Sequence, residues 1–313
     1  RNLITPTRTR ARIYDGQGLL ILDSENIYAR GEVLRVDADH HDDLFWALRG
    51  GVAPVIVTAI EVRLHLLPSI YAGALLWPID RAGEVARAWQ QWVAGVPESV
   101  TSLLRVLRYP PLPDLPPILQ GRAFVAVEVA IQEPNEDAER MLRPLRHLQA
   151  ELDFARPMVQ AELGDIHGDP QQPVPGFGES VLLTAVSPES VDAFIRCALD
   201  DSAGPLLSIE LRQLGGALAP GRGRGGAVAD LDGAGLVFAV GIVPNPDLVA
   251  VVSAAADRVV AGLAGHASRR AFRNFSDRAT DPRALYGDAT GRLERIVAEW
   301  DPRGLVRVAH PVG

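Results

Sequence analysis

Two charged side chains stand close together in a mainly apolar stretch of the chain. Glu210 and Arg212 are two residues apart in the run Ile-Glu-Leu-Arg. Alternate residues of a strand point to the same face, so this spacing places both side chains on one face of a strand predicted over 206–214. A carboxylate there can act as a general base when it lies within hydrogen-bond reach of the proton that it removes. The simpler interpretation is an ion pair on a solvated sheet face.

A second polar group consists of acids and histidines near residue 40, and its residue types could suggest a metal site. Its members are Asp37, Asp39, His40, His41, Asp42 and Asp43. The stretch is predicted to lie before the helix and not within it, so its side chains do not share a helix face. We therefore predict no metal site and interpret the stretch as a loop in which Asp43 caps the helix that follows.

Three further motifs have a possible chemical and a structural interpretation. Glycine and arginine alternate over 221–226, which could suggest phosphate or RNA binding, but no helix is predicted to begin there, so we favour a flexible hairpin loop. His167 precedes a glycine and is predicted to be a turn residue, with a position in a pocket as the alternative. Trp89 and Trp92 are assigned to core packing. No nucleophile-elbow pattern supports a serine hydrolase triad.

The elements that position these residues follow from hydrophobic periodicity. Strands are predicted over 71–77, 123–131, 206–214 and 235–243. Amphipathic helices are predicted at 85–93, from Pro134 to 148, at 188–199 and at 246–263. Strands that alternate with such helices indicate an α+β fold, with an antiparallel sheet covered by helices on one face.

The two ends of the chain and one internal loop complete the predicted elements. Near the N-terminus we predict strands over 32–37 and 55–66 and a hairpin turn at 29–31. A loop is predicted over 164–178. A last helix should end at Asp301, because the residue before a proline avoids the helical region, and a short strand over 305–308 should follow.

Composition limits the class of protein. The chain has 313 residues, is 47% hydrophobic and carries a net charge of −8, which argues against a general nucleic-acid binder. No apolar run is long enough for a membrane span and no leader is recognised, so neither a membrane nor a nucleic acid is an expected partner. The single cysteine, Cys197, is compatible with a cytoplasmic location. All basic residues are arginine, which is typical of a GC-rich bacterial genome.

The stretch from Asp42 to Gly51 carries a family resemblance. An acidic pair opens a short apolar helix with Phe45 and Trp46, the helix ends on Arg49-Gly50-Gly51, and a β-branched run follows. This order resembles the helix, glycine turn and strand in the FAD-binding domain of the berberine-bridge-enzyme-like oxidases.

The C-terminal part resembles the same oxidases. The order is Phe272-Arg273-Asn274-Phe275, then Tyr-Gly at 286–287, Arg-Leu at 292–293 and Asp-Pro at 301–302. The strand that carries Glu210 and ends in Gly-Gly at 215–216 resembles a strand of their substrate domain. Separated motifs in the right order are more specific than any one alone, and the resemblance extends from about residue 20 to the end.

The resemblance implies a vanillyl-alcohol-oxidase (PCMH-type) flavoprotein fold. The second part of the FAD-binding domain is then expected at 1–68, with the N-terminal FAD subdomain missing. The substrate domain is expected at 69–267, and the chain is expected to return to the FAD-binding domain at 268–313. The implied site has Glu210 as catalytic base, Arg212 as substrate contact, and Arg49, Gly50, Gly51, Asn274 and Phe275 as cofactor contacts.

Departures from the family pattern concern the cofactor. No Gly-Gly-His loop occurs, and Cys197 lies in a predicted substrate-domain helix, so neither covalent flavin anchor is carried over. After Gly51 the sequence continues Val52-Ala53-Pro54 where the family has glycines, and Pro54 offers no N–H donor. We expect the intact family fold to bind FAD and this chain alone to lack it.

Two functions remain open on the sequence. The first is part of an FAD-dependent oxidoreductase that transfers a hydride from a substrate C–H to flavin. The second is a flavin-free remnant that acts as a binding or scaffold protein. The expected partners are a small-molecule substrate and, through an apolar face of residues 1–66, either a second copy of the chain or a missing N-terminal subunit.

Overall fold

The computed structural model describes residues 12–14, 20–23, 33–67, 69–113, 115–168 and 172–312. The predicted hairpin turn at 29–31 lies outside these residues. The chain forms two compact units, which are described separately below. The small unit comprises residues 1–66, 224–229 and 286–313, and the large unit comprises residues 67–223 and 230–285. The assignment of the predicted domains to cofactor and substrate binding stays a prediction.

One antiparallel sheet organises the large unit. Its strand order is β6-β3-β5-β4-β9-β10-β8, and the short strand β7 also pairs with β3. The strands are β3 (Ile70–Pro78), β4 (Val100–Arg108), β5 (Ala123–Ile131), β6 (Leu152–Asp153), β7 (Arg156–Met158), β8 (Gly176–Leu183), β9 (Ser208–Gln213) and β10 (Gly235–Ile242). Neighbouring strands in this order run antiparallel, and so do β3 and β7. The predicted fold class is confirmed.

Helices cover one face of this sheet. They are α2 (Ala82–Val93), α3 (Asn135–Arg146), α4 (Pro188–Leu199) and α5 (Asp247–Gly262). Trp89 lies in the core between α2 and the sheet, and its ring nitrogen donates a hydrogen bond to Ser102 at 2.9 Å. Pro188 begins α4 directly after Ser187, whose side chain caps the helix. The four helices predicted from periodicity are therefore confirmed.

The pleat of the strands separates two sets of side chains. Leu104 and Val106 of β4 belong to the main core with the helices. The residue between them, Arg105, points to the opposite face, because successive side chains of a strand alternate. A small apolar cluster also lies on that opposite face and includes Phe124, Ala126 and Leu107. The helix-free face of the sheet is thus partly apolar and partly charged.

Strand β8 corrects the predicted loop over 164–178. The strand begins at Gly176 and pairs over its whole length with β10, from Gly176 opposite Ile242 to Leu183 opposite Gly235. Glycine has a low strand propensity, which explains the wrong prediction. Hydrogen bonding to a long neighbour compensates for that weakness at this sheet edge.

The small unit contains helices α1 (Asp42–Leu48) and α7 (Thr290–Trp300) and the strand pair β1 (Arg12–Tyr14) and β2 (Leu20–Asp23). A short helix, α6 (Pro282–Tyr286), ends at its boundary. The predicted cap at Asp43 is wrong, because α1 begins at Asp42 and His41 occupies the N-cap position. The Asp43 carboxylate instead accepts a hydrogen bond from Trp300 at 3.2 Å.

Three predicted strands of this unit are not strands. The described part of 32–37 and the runs 55–66 and 305–308 have extended or irregular backbone without ladder pairing. A strand requires a neighbour for its backbone hydrogen bonds, and no described strand pairs with these runs. Several apolar side chains of the middle run are exposed, namely Ile56, Val57, Ile60, Val62, Leu64 and Leu66. Self-association through this run stays a prediction, which light scattering tests.

Among the described residues, no helix is long and apolar enough to cross a membrane. The same residues contain no group of three or more histidine, cysteine or acidic side chains arranged to hold a metal ion.

Candidate functional site

Four charged residues meet on the helix-free face of the large unit. They come from three neighbouring strands: Glu128 from β5, Arg105 from β4, and Glu210 with Arg212 from β9. The register places Arg105 directly opposite Glu210. Because β4 lies between the two other strands, Arg105 stands between the two carboxylates.

Arg105 holds this group together. Its Nη1 donates to Glu128 at 3.1 Å and to the carbonyl oxygen of His167 at 2.8 Å. Its Nε donates to the hydroxyl of Ser208 at 2.7 Å and lies 3.6 Å from Glu210. The guanidinium, Glu128 and Glu210 are all buried. A buried charge is tolerated only when it is paired and hydrogen-bonded, and this arrangement meets that condition.

His167 bridges the two carboxylates. Its Nδ1 lies 2.7 Å from Glu128 Oε2, and its Nε2 lies 3.0 Å from Glu210 Oε1. Burial of the ring opposes a charge on it, but the hydrogen bonds to Glu128 and Glu210 outweigh burial and raise the pKa of His167 to about 9. The ring is therefore an imidazolium at neutral pH and donates from both nitrogens.

Glu210 is ionised at every physiological pH. Its side chain is only 2% exposed, which by itself would favour the neutral acid. The hydrogen bond from His167 and the charges of Arg105 and Arg212 outweigh that burial and lower the pKa of Glu210 to about 2. Arg212 is the third cation around Glu210, and its Nε donates to Glu210 Oε2 at 2.8 Å. Neither carboxylate oxygen is left without a cationic partner.

Aromatic side chains lie beside the exposed end of Arg212. Its guanidinium carbon is 5.1 Å from the centre of the Phe275 ring, and that ring packs edge-on against Phe238. The neighbouring Asn274 is exposed, and its side-chain amide makes no hydrogen bond within the described part of the chain. Two predicted cofactor contacts thus lie next to a predicted catalytic residue.

A cavity of about 510 Å³ lies over the same face of β3, β5 and β4. The segment from β6 to Gly168 also contributes to its lining, as do Glu128 and His167. The charged cluster and the cavity therefore share two residues, which makes this region the candidate functional site of the large unit.

Sequence reasoning found only part of this site. It placed Glu210 and Arg212 on one face, as the structure does, and kept a pocket as the alternative for His167. It missed Arg105 and Glu128. The signal that could have found them is a single charge inside an apolar strand, as in Leu104-Arg105-Val106 and Val127-Glu128-Val129, because such charges are rarely buried without a partner.

The predicted cofactor contacts at 49–51 lie in the small unit. The Arg49 guanidinium lies 4.2 Å from the centre of the Phe45 ring and donates to the carbonyl oxygen of Arg224 at 3.1 Å. Gly50 has a left-handed backbone with a φ of 81°, and a side chain there would lie 2.5 Å from the carbonyl oxygen of Val228. The chain's own residues 224–228 therefore cover this turn.

We expect Gly51→Ala to lower the free energy of unfolding of the small unit by about 1–3 kcal/mol. The new methyl would overlap the carbonyl oxygen of Ala47 and lie 2.7 Å from Ala227 Cβ, and backbone cannot move aside cheaply. Hydrogen exchange of the α1 amides measures the effect.

The matched control is Gly83→Ala in α2, where a methyl meets nothing within 4 Å. Since alanine is the better helix former, this control should stabilise α2 by about 0.5–1 kcal/mol. Equal, small effects of the two substitutions would contradict the close packing around Gly51.

Comparison with known proteins gives two different results along the chain. Residues 1–49 match the family model of a stimulus-sensing domain. A stretch of 37 residues, 12% of this chain, is 60% identical to 6% of the sensor protein ChvG of Agrobacterium fabrum. The residues that match the family model fall within the predicted FAD-binding part, from 1 to 68.

The chain is also similar to flavin-linked oxidases. An FAD-linked oxidoreductase of Bacillus subtilis, YvdP, is 25% identical over 210 residues, which are 63% of this chain and 44% of that protein. The solved structure of BBE-like 1 from Physcomitrella patens superimposes with a TM-score of 0.70 at 14% identity and covers 97% of this chain. The chain has the fold of the berberine-bridge-enzyme-like FAD-linked oxidases.

This result confirms the resemblance found in the sequence. The chain spans 64% of the length of the Physcomitrella protein and less than half of YvdP. The link to FAD is a property of these relatives.

The residues of this chain fit FAD in part. Asn274 offers a free, exposed amide, and Phe275 an aromatic face beside Arg212. The turn at 49–51 does not offer an open cradle, because Ala227 N donates to the Arg49 carbonyl oxygen at 2.9 Å and Gly51 and Val52 are buried.

Proposed function

We propose that this chain carries the substrate-binding part of an FAD-dependent oxidoreductase in which a hydride passes from a substrate C–H to the flavin. The observation that carries the proposal is the charged cluster of Arg105, Glu128, His167, Glu210 and Arg212, of which Glu128 and His167 line a cavity, in a fold shared with flavin-linked oxidases. Buried charges with shifted pKa values that border a cavity are typical of active sites.

Within this proposal Glu210 is the base and Arg212 the substrate contact. A carboxylate with a pKa of about 2 is a weak base at neutral pH, so Glu210 needs to lose a cationic partner before it takes a proton. Arg212 is the partner that can leave, because its side chain is 32% exposed whereas Arg105 is buried. Loss of the Arg212 contact would therefore activate Glu210.

FAD, when bound, supplies the hydride acceptor. On this chain, Asn274 is proposed to hold the cofactor through its amide, and Phe275 to pack against it. The imidazolium of His167 keeps a positive charge at the polar end of the cavity, between Glu128 and Glu210.

The second candidate is a flavin-free binding protein. The coverage of the turn at 49–51 by residues 224–228 favours it, because this turn was the main predicted cofactor contact outside the large unit. Val52 adds a buried side chain where an open backbone would suit a cofactor.

A flavin titration distinguishes the two candidates. We expect the purified chain to be colourless and to bind added FAD in a saturable manner, measured by quenching of flavin fluorescence. Asn274→Ala should weaken this binding about two- to tenfold, the worth of one hydrogen bond. The exposed Asn135 in α3 provides the control, and Asn135→Ala should leave the affinity unchanged.

Absence of saturable binding would contradict the oxidoreductase proposal for this chain and favour the flavin-free candidate. Equal affinity of the Asn274→Ala and Asn135→Ala variants for FAD would show that the chain binds FAD without a contact from Asn274.

A further inference from the structure

The walls of the cavity in the large unit are mainly apolar. Apolar side chains come from three strands, from the loop before β5 and from the segment after β6. They include Ala74, Leu76, Leu107, Leu119, Ala126 and Met158. A volume of about 510 Å³ falls in the range of about 300–1,000 Å³ that is usual for sites of small organic molecules. The walls therefore suit a ligand with an apolar body.

Most charges that border the cavity are already paired within the protein. Arg156 and Glu162 form an ion pair at 2.7 Å at one side, and Asp153 pairs with Arg146 at 2.8 Å. Glu128 is held by Arg105 and His167, as described above. A charged ligand would lose its hydration in this cavity without gaining a free counter-charge there, except for the exposed Asp165.

One polar group in the wall is free. The ring of Tyr109 lines the cavity, and its hydroxyl makes no hydrogen bond with any described residue. Burial is the main cause that raises the pKa of this phenol, so it stays neutral and can both donate and accept. A hydroxyl group on a ligand could form a hydrogen bond with the Tyr109 hydroxyl, for which the described residues provide no partner.

From this geometry we propose that the cavity binds a neutral, mainly apolar small molecule whose hydroxyl group pairs with Tyr109. That this molecule is the substrate rests on the proposed function. The inference then narrows the substrate class to hydroxylated apolar compounds. The binding itself needs no flavin, because every residue that it uses lies in the large unit.

Four naphthalene probes of equal ring size test the proposal in calorimetric titrations of the full chain without FAD. They are 2-naphthol, 2-methylnaphthalene, 2-naphthoate and 2-naphthylmethylammonium. We expect 2-naphthol to bind most tightly and both ions to bind at least about tenfold more weakly, since each loses hydration without a counter-charge.

Two variants locate the binding. Tyr109→Phe should weaken the binding of 2-naphthol about two- to tenfold and leave the affinity for 2-methylnaphthalene unchanged, because only 2-naphthol loses a hydrogen bond. Ala74→Leu narrows the cavity and should weaken both neutral probes, whereas Ala250→Leu, at an exposed position of α5, should weaken neither.

Three outcomes would overturn the proposal. They are tighter binding of either ion than of 2-naphthol, an equal loss of affinity for both neutral probes in Tyr109→Phe, and no binding of any probe. Tighter binding of the ammonium probe would assign the cavity to amines through Asp165. Since no experiment here uses FAD, a failed flavin titration and a failed probe titration remain separate results.

Discussion

Arg105→Met is expected to lower the free energy of unfolding of the large unit by about 3–5 kcal/mol, the usual cost of removing one partner from a buried ion pair. Methionine retains much of the volume, so the loss reflects charge more than packing. Without the guanidinium, the buried carboxylates of Glu128 and Glu210 keep only His167 and Arg212 as cations. The hydroxyl of Ser208 and the carbonyl oxygen of His167 lose a donor as well.

Urea unfolding, followed by tryptophan fluorescence, measures this loss, since Trp77, Trp89 and Trp92 all lie in the large unit. The matched control is Arg87→Met, because Arg87 pairs with Asp192 at 3.3 Å on the surface, where both side chains are exposed. Exposed pairs contribute little, so the control should change stability by less than about 1 kcal/mol. A similar small effect in both variants would show that the cluster around Arg105 is not a buried ion-pair network in solution.

The second large effect concerns pH. The pKa of His167 is raised to about 9 in the folded chain, against 6.5 for an ordinary histidine. Between these two values the folded state binds more protons than the unfolded state, so stability falls as pH rises. The stabilisation from His167 is therefore complete below pH 6.5 and is lost as pH rises through 9. At about 1.4 kcal/mol per pH unit, the whole loss is about 3 kcal/mol.

His167→Gln removes this titration. We expect the variant to be less stable than the parent by about 3 kcal/mol near pH 6, and the difference to shrink steadily towards pH 9.5. Glutamine can still reach one carboxylate, but it carries no charge between Glu128 and Glu210. Unfolding free energies at five or six pH values measure the effect.

The exposed His147 serves as the matched control, since it forms no ion pair with any described residue. His147→Gln should change the stability of the folded chain by less than about 0.5 kcal/mol. A difference between parent and His167→Gln that is constant from pH 6 to 9.5 would mean that His167 contributes packing or a neutral hydrogen bond only.

The candidate site shows how far sequence reasoning reaches. The period of two along β9 was enough to place Glu210 and Arg212 on one face, because that relation depends only on the local backbone. The same reasoning applies to Arg105 and Glu128 one strand at a time. It cannot show that these four side chains meet, since their strands are separated by up to about a third of the chain.

The helices and strands of the large unit were predicted better than those of the small unit, for a related reason. The correctly predicted helices α2 to α5 and strands β3, β5, β9 and β10 lie in the large unit, where apolar periodicity has a sheet or helix to pack against. Strands β4 and β8 of the same sheet were not predicted. The run 55–66 has a similar alternation, but no described strand pairs with it, so its backbone does not form a β-ladder. Alternation predicts which side chains share a face, whereas pairing decides whether a strand forms.

The sequence by itself determined the class of the fold, the family resemblance through Arg49-Gly50-Gly51 and the 272–275 motif, and the shared face of Glu210 and Arg212. Tertiary structure alone decided that His167, from a loop after β7, lies between Glu128 and Glu210, and that residues 224–228 cover the glycine turn. The physical reason is that side-chain direction follows from local dihedral angles, whereas strand order, register and loop docking depend on contacts between residues far apart in the chain.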